Sequence, residues 1–446
     1  MSNNFDIEYK KALIADKSNP DVSRLNSIVG QDEFQKIVSE LNCKNFMPGV
    51  RSDISKLDNY DDRYVKSGDF CANFHVHSLY SDGAYDVTTL LDSANSFAIK
   101  SENKFIVAFT DHDSVEGVKK IVDVIYDNFD KYKNLKIILG LEVSTVATEF
   151  LSQSKTLDIH TLVYCINPYD SNLNDFLNIK MEKKYSLACE TLELLKKSLS
   201  EILIRYNIEL SLGEAAKIHP LITKGQDEVS HPLKKYIYAK ILYSYYVENN
   251  KNISEKLKQF GVDNKLLSYE KPVFMYKEMF NNDRYFYIYK DALEKYLNFV
   301  TENNFKFKLS PIPQMIIDDL IVAKKICENS HPTKEHSISA FSEFSKTVEF
   351  IAQQKYGLMS IAHPARINLK NISTDNVTFF DELFSVYKSA GKAKAYGYEK
   401  FYQSYKGEKH FAILKDIDMC AAKYNLSFTG GIDTHGKDVS RRSPWQ

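Results

Sequence analysis

Residues 105–142 read FIVAFTDHDSVEGVKKIVDVIYDNFDKYKNLKIILGLE, and the fold turns on how this stretch is parsed. An apolar run over 105–110 breaks on Asp111-His112-Asp113. Val115, Val118, Ile121, Val122 and Ile125 then recur at helical spacing, and a second apolar run over 135–142 ends on Glu142. Two short strands joined by an amphipathic helix make a βα unit, and the crossover sets the strands parallel. The same rhythm extends outward, with strand candidates at 72–77, 159–166, 358–363, 393–399 and 426–429 and helical patterns near 376–389 and 408–424. Repetition of this kind predicts an α/β fold, a parallel sheet or barrel with helices outside.

The rhythm stops near Pro168 and resumes near Gly357. Helical patterns at 173–206, 232–248, 284–304, 311–328 and 336–355 fill the interval. The expected organisation is therefore a first barrel half at 71–166, a mainly helical insertion at 167–356, and a second half at 357–446. Residues 1–70 are expected as a polar N-terminal extension. Within it Leu25, Ile28, Val29, Phe34, Ile37, Val38 and Leu41 fall at helical spacing, Gly30 interrupts, and Asp21 is a candidate N-cap.

Composition narrows the class. With 43% hydrophobic and 26% charged residues the chain is ordinarily globular, which excludes wholesale disorder. Lys+Arg 58 against Asp+Glu 59 excludes a polycationic nucleic-acid coat. The six cysteines form no C-x-x-C pair, so reduced intracellular thiols are expected rather than a disulfide framework. The polar, acidic start Met1-Ser-Asn-Asn-Phe-Asp does not read as a signal peptide, and no apolar run approaches the ~18 residues of a membrane span. A cytoplasmic protein with no membrane partner is the expectation.

Six of the eleven histidines fall at or just past a predicted strand end beside carboxylates. His75 and His77 alternate on one strand, so both side chains can face one ion, and Asp82 follows beside the turn-making Gly83. His112 stands between Asp111 and Asp113, Glu142 ends its strand, and His160 follows Asp158. His363 opens Ala362-His363-Pro364-Ala365-Arg366, and Asp433 and His435 sit in Gly431-Ile-Asp-Thr-His-Gly436. In a parallel βα architecture all strand C-termini emerge at one face, where dispersed residues meet. So many imidazoles and carboxylates are costly to gather unless divalent cations make them ligands. A His/Asp/Glu set without thiolates suits Zn, Mn or Fe. His219, His231, His331, His336 and His410 lack that setting and read as ordinary core or surface groups.

The groups H-x-H, S-D-G, T-D-H-D, A-H-P and D-x-H, in this order, resemble the polymerase-and-histidinol-phosphatase (PHP) family of metal-dependent phosphoesterases over residues 72–166 and 357–436. The segment Tyr398-Glu399-Lys-Phe-Tyr402-Gln-Ser404 resembles a stretch common after that family's A-H-P motif. The resemblance implies a distorted (β/α)7-type barrel with two or three metals at its mouth. It assigns His75, His77, Glu142 and Asp433 to a first metal. A second falls to the bridging Glu142 with His160 and His363, and a third to Asp82, His112 and His435. The helical insertion resembles the subgroup that acts on nucleotides and RNA or DNA 5′ ends. There Gly225-Gln-Asp-Glu-Val-Ser-His231-Pro faintly matches a G-R-P-H segment, with Gln226 in place of the arginine, and Ile432 stands where the family usually has a small or polar residue.

The chemistry expected is hydrolysis of a phosphate ester of a small molecule or nucleic-acid end through a metal-bridged hydroxide. Arg366 can hold phosphate oxygens or make a salt bridge on the barrel rim, and Asp111 or Asp113 can orient an imidazole, shuttle a proton or be purely structural. Lys437, Arg441 and Arg442 can contact a polyanion or simply form a solvated face, and the lysine–tyrosine pattern of the insertion fits core packing better than base stacking. Two rivals remain at this stage. One is a metal-stabilised scaffold binding a protein partner through the insertion or the N-terminal segment. The other is a metal hydrolase of a non-phosphate ester or an amide.

Overall fold

The computed structural model describes residues 3–43, 70–101, 104–150, 157–210, 237–260, 290–301, 306–329, 342–402, 407–431 and 433, except positions 82, 84, 149, 239, 292, 296, 299, 300 and 368. The predicted Asp82, His435, Lys437, Arg441 and Arg442, with Gln226, His219, His231, His331, His336 and Ile432, lie outside the described residues, as does the side chain of His410.

Seven strands form one sheet: β1 (Phe70–Val76), β2 (Lys104–Phe109), β3 (Leu135–Ala147), β4 (Leu157–Tyr164), β6 (Leu358–Ile361), β7 (Ala395–Tyr402) and β8 (Ser427–Gly431), hydrogen-bonded in that order. The two-residue β5 (Ser342–Glu343) adds to β3. The sheet curls until β1 and β8 lie side by side. Gly431 makes that approach possible, since a Cβ there would sit 2.3 Å from His75 Cβ. This is the expected α/β architecture, a distorted barrel.

One expectation is corrected. The strands are not all parallel, because β4 runs antiparallel to both β3 and β6. The link 148–156 between β3 and β4 is too short for the crossover of a dozen or more residues that a parallel pair needs, so the chain turns straight back. Leu157 pairs with Ala147 and His160 with Ser144. The beginning of β4, not its end, therefore lies at the mouth.

Alternation sorts the side chains into two layers. Phe105, Val107 and Phe109 of β2 and Ile137, Leu139, Leu141 and Val143 of β3 pack outward. Their partners include Val118, Ile121, Val122 and Ile125 of α4 (Glu116–Asp127) and Phe379, Leu383 and Phe384 of a later helix, Asn376–Gly391. Ala72, Phe74, Ile106, Ala108, Ile138, Leu162, Tyr164 and Leu358 point inward. The N-terminal segment completes that inner layer. In α2 (Gln31–Cys43) Phe34 and Val38 are buried in it, with the Phe34 ring 4.9 Å from that of Tyr164. Truncating a ring so enclosed costs ~3–5 kcal/mol. Asp6 of α1 (Asn3–Ala12) accepts from Asp32 N and Glu33 N, both at 3.1 Å, capping α2. Val29 N–H donates to Ile137 C=O at 2.8 Å. Residues 3–43 thus dock on the barrel. The predicted cap is also found, since Asp21 accepts from Ser23 N.

The chain divides into two compact units, 1–180 with 341–446, and 181–340. The stretches 167–180 and 341–356, expected in the insertion, thus fall in the barrel unit. The second unit has its own apolar core. It draws on Leu192 and Leu195 at the end of α5 (Ser171–Ser198), Ile202 of α6 (Ser200–Arg205), Leu199 between these two helices, Leu257 of α7 (Lys251–Gln259), and Ile316, Leu320 and Ala323 of α8 (Gln314–Asn329). Among its described residues there is no strand. No described helix is long and apolar enough to cross a membrane.

Candidate metal centre

His75 and His77 reach the cavity because β1 is irregular. Ala72 and Phe74 already face inward, and strict alternation would turn the two histidines out. Between Asn73 and Val76 the register with β2 shifts, three steps on β1 matching two on β2. That bulge re-aims His75 and His77 inward. On β3 no shift is needed, since Glu142 follows the inward Ile138 by four residues. Past the end of β2 the pairing resumes at His112, where Glu142 N donates to Asp111 C=O at 3.1 Å and Asp113 N to Glu142 C=O at 2.8 Å.

The Glu142 carboxylate, almost wholly buried, is the hub. Its Oε2 lies 2.8 Å from His75 Nε2, 3.2 Å from His77 Nε2 and 3.5 Å from His112 Nδ1. Its Oε1 lies 2.8 Å from His160 Nδ1 and 3.2 Å from His363 Nε2. Asp433 Oδ1 closes the first side, 3.1 Å from His77 Nε2 and 3.5 Å from His75 Nε2. His75, His77, Glu142 and Asp433 form one potential ligand group and His112, Glu142 and His160 another, each with its ligand atoms within 4.8 Å of one another. His112 thus gathers with Glu142 rather than apart from it. Asp113, His363 and Asp433 hold left-handed backbone, φ 45°, 28° and 50°. Strain of this kind persists where surroundings over-determine it.

The flanking carboxylates turn away from the cavity. Asp111 accepts from Ser78 N at 2.6 Å, Ser78 Oγ at 2.7 Å and Ser81 Oγ at 2.7 Å, tying down the loop after β1. Gly117 leaves room for it, since a Cβ there would sit 2.2 Å from Asp111 Oδ2. Asp113 pairs at 2.8 Å with Lys180 of α5, a buried lysine whose ammonium also donates to Ser144 C=O. Arg366 is half exposed, its guanidinium 4.0 Å from Asp433. Two participants escaped the sequence reading. Lys180 carries no local signal beyond a lysine in a helix. Glu399, fully buried on β7, sits 3.1 Å from His75 Nδ1 and was visible only as part of a quoted motif.

Burial alone would lower the basicity of His75, but Glu142, Glu399 and Asp433 more than reverse it and raise its pKa well above the ordinary value. Burial would raise the pKa of Glu142, yet His112, His75 and His160 hold it well below the usual carboxylate range. Five imidazole nitrogens converge on a carboxylate that offers about four lone-pair directions. Protonated rings so close would repel one another, and five neutral rings outnumber the lone pairs that could accept their N–H groups. Divalent metal would relieve that conflict by turning the rings into ligands, and the two groups sharing Glu142 are donors that would fit it.

Fold and centre together define an α/β barrel with two adjoining imidazole–carboxylate groups sharing one glutamate. Residues 73–252 match the family model of the PHP domain. That span holds His75, His77, His112, Glu142 and His160, and His363, Glu399 and Asp433 lie beyond it. No curated protein sequence matches the chain. Among solved structures, a Bifidobacterium adolescentis protein classed as a metal-dependent phosphoesterase is similar at 15% identity and TM-score 0.42, over 83% of this chain and 90% of that one. An amidohydrolase from Chromobacterium violaceum, solved with sulfate and no metal, is similar at 15% identity and TM-score 0.41, over 82% of this chain and 87% of that one.

Proposed function

We propose that this protein is a metal-dependent hydrolase that cleaves a phosphate ester of a nucleotide or nucleic-acid end, using two or three divalent ions of the Zn, Mn or Fe class. The observation that carries the proposal is Glu142, whose two oxygens face two separate sets of imidazoles, with Asp433 beside the first set. The match of residues 73–252 to the PHP domain supports it. When bound, a metal pair lowers the pKa of water toward ~7 and neutralises charge building on phosphoryl oxygens.

The chain's own residues supply the rest. His75, His77, Glu142 and Asp433 hold the first ion, and Glu142, His160 and His363 the second, with His112 alongside. Asp82, His112 and His435 are proposed for a third. Arg366, half in solvent beside Asp433, receives the non-bridging oxygens of the substrate. Asp111, both of whose oxygens accept from Ser78 and Ser81, orients the His77 loop, and Asp113, whose Oδ1 takes Lys180 and the Ser144 N–H, orients the His112 segment.

The test is phosphate release by metal-supplemented protein from an aryl phosphate, AMP, a 3′,5′-bisphosphate and a short 5′-phosphorylated RNA. Turnover of the nucleotide or RNA substrates above the aryl phosphate is expected. A metal-loaded protein inert toward all four overturns the proposal.

A further inference from the structure

Glu399 lies outside both ligand groups, and no role in the reaction has been assigned to it. It is fully buried at the bulge where β7 changes register against β8, between Glu399 and Phe401. Both its oxygens are committed. Oε1 is 3.1 Å and Oε2 3.3 Å from His75 Nδ1, and Oε2 also accepts from the His363 backbone N–H at 2.9 Å. The fit around it is close, as a Cβ on Gly431 would come within 3.0 Å of Oε1. His75 belongs to the first ligand group and precedes the helical unit. His363 faces the other oxygen of Glu142 and follows that unit.

We infer that Glu399 is a positioning residue serving both metals at once, a conclusion that rests on the metal reading of the site. On one side it accepts the Nδ1–H of His75, which fixes that ring in the tautomer whose Nε2 lone pair faces Glu142 and Asp433. A carboxylate behind a ligating imidazole also strengthens it as a donor. On the other side it holds the N–H of His363, a residue in left-handed backbone at φ 28° and ψ 54° that is costly without such an anchor. The extended alternative would swing the imidazole away from Glu142. One carboxylate therefore ties together ligands 288 positions apart in the chain (363 minus 75), drawn from the two halves of an interrupted barrel.

The experiment uses the full chain stripped of metal with a chelator and titrated with Co(II), read by calorimetry and by the visible d–d bands. The variants are Glu399→Gln and Ser360→Ala. The amide loses the charge, and in either orientation its NH2 faces an N–H donor, His75 Nδ1 or the His363 backbone. Ser360 is a control from the same barrel interior, hydrogen-bonded to Thr429 at 3.0 Å. Glu399→Gln is expected to weaken Co(II) binding ~10- to 100-fold and to alter the d–d bands, and Ser360→Ala to leave both unchanged. Equal affinity in the wild type and Glu399→Gln overturns the inference, and so does a matching loss in Ser360→Ala. A second measurement needs no variant. Nitrogen-15 spectra of the Zn(II)-loaded wild type must show His75 protonated at Nδ1, and a bare Nδ1 overturns the inference even if Glu399→Gln fails to fold. A wild type that takes up no Co(II) removes the metal reading itself, an outcome distinct from these.

Discussion

The barrel unit and the helical unit both bury charge, but they balance it differently. At the barrel mouth Asp111, Asp113, Glu142, Glu399 and Lys180 are buried with His75 and His77. Among the described residues of the helical unit the buried charges are Lys184 and Asp319. Asp319 closes a local account: Arg205 donates to both its oxygens at 2.6 and 2.7 Å, and Tyr206 OH donates at 2.7 Å. Donors there match acceptors, and Arg205 keeps half its side chain in water. At the mouth five imidazole nitrogens converge on the two oxygens of Glu142, which offer about four lone pairs. Charge removed from water is costly unless paired, and so crowded a set of His, Glu and Asp donors suits a shared divalent metal.

The sharpest way to break this contrast is Glu142→Ala. If one carboxylate sets the spacing of two cations, its loss removes both rather than weakening one. Bound metal should fall from at least two ions to fewer than one per chain, and turnover by roughly three orders of magnitude or more. Metal analysis and phosphate release check this together. Chelator treatment of the wild type should abolish turnover in the same assay, with activity restored by adding back Zn or Mn. A variant that keeps full metal content would mean that the two groups do not share Glu142.

Much of this centre was legible. H-x-H on a strand and a carboxylate at the end of an apolar run announce inward-facing donors. Other parts were right for incomplete reasons. His75 and His77 share a face, but only the bulge at Asn73–Val76 turns that face inward, and nothing local in the sequence marks a bulge. His160 was expected at the end of a parallel strand, yet it reaches the mouth near the start of an antiparallel one, because the 148–156 link is too short for a crossover. Glu399 and Lys180 act through partners far away in sequence, His75 and Asp113 respectively, which no periodicity reveals.

Lys180→Met sharpens the contrast through stability. The ammonium and the Asp113 carboxylate are both nearly inaccessible, at 2% and 3% of side-chain surface. Removing one partner strands the other, at a cost of ~3–5 kcal/mol. Adding Asp113→Asn should recover part of that loss, since the stranded charge is then gone. Urea unfolding of the two single variants and the double variant gives the coupling directly, and full additivity would show that the pair is not interacting.

Arg366→Ala should act on catalysis and leave stability alone. Its side chain is half exposed, so truncation should shift the melting temperature little. By analogy with removal of a single oxyanion donor, kcat/KM should fall by the equivalent of ~2–4 kcal/mol. Steady-state kinetics on the best substrate of the panel checks this. An unchanged kcat/KM would place Arg366 among ordinary rim residues.

The smallest effect is expected from Asp319→Asn, on the other side of the contrast. Asn can keep the oxygen that accepts from both Tyr206 and Arg205, but it loses the charge and turns its NH2 toward the guanidinium. Because Arg205 is half in solvent, the lost ion pair is screened and contributes little. The larger part of the cost is the second Arg205 hydrogen bond left unmade, so a loss of about 1 kcal/mol is expected in urea unfolding followed by far-UV circular dichroism. Metal content and kcat/KM should match the wild type, since the cluster around Asp319 is satisfied by protein groups alone. If Asp319→Asn instead emptied the metal centre, buried charge in the helical unit would be serving the barrel mouth, and the division between a self-balanced cluster and one completed by cations would fail.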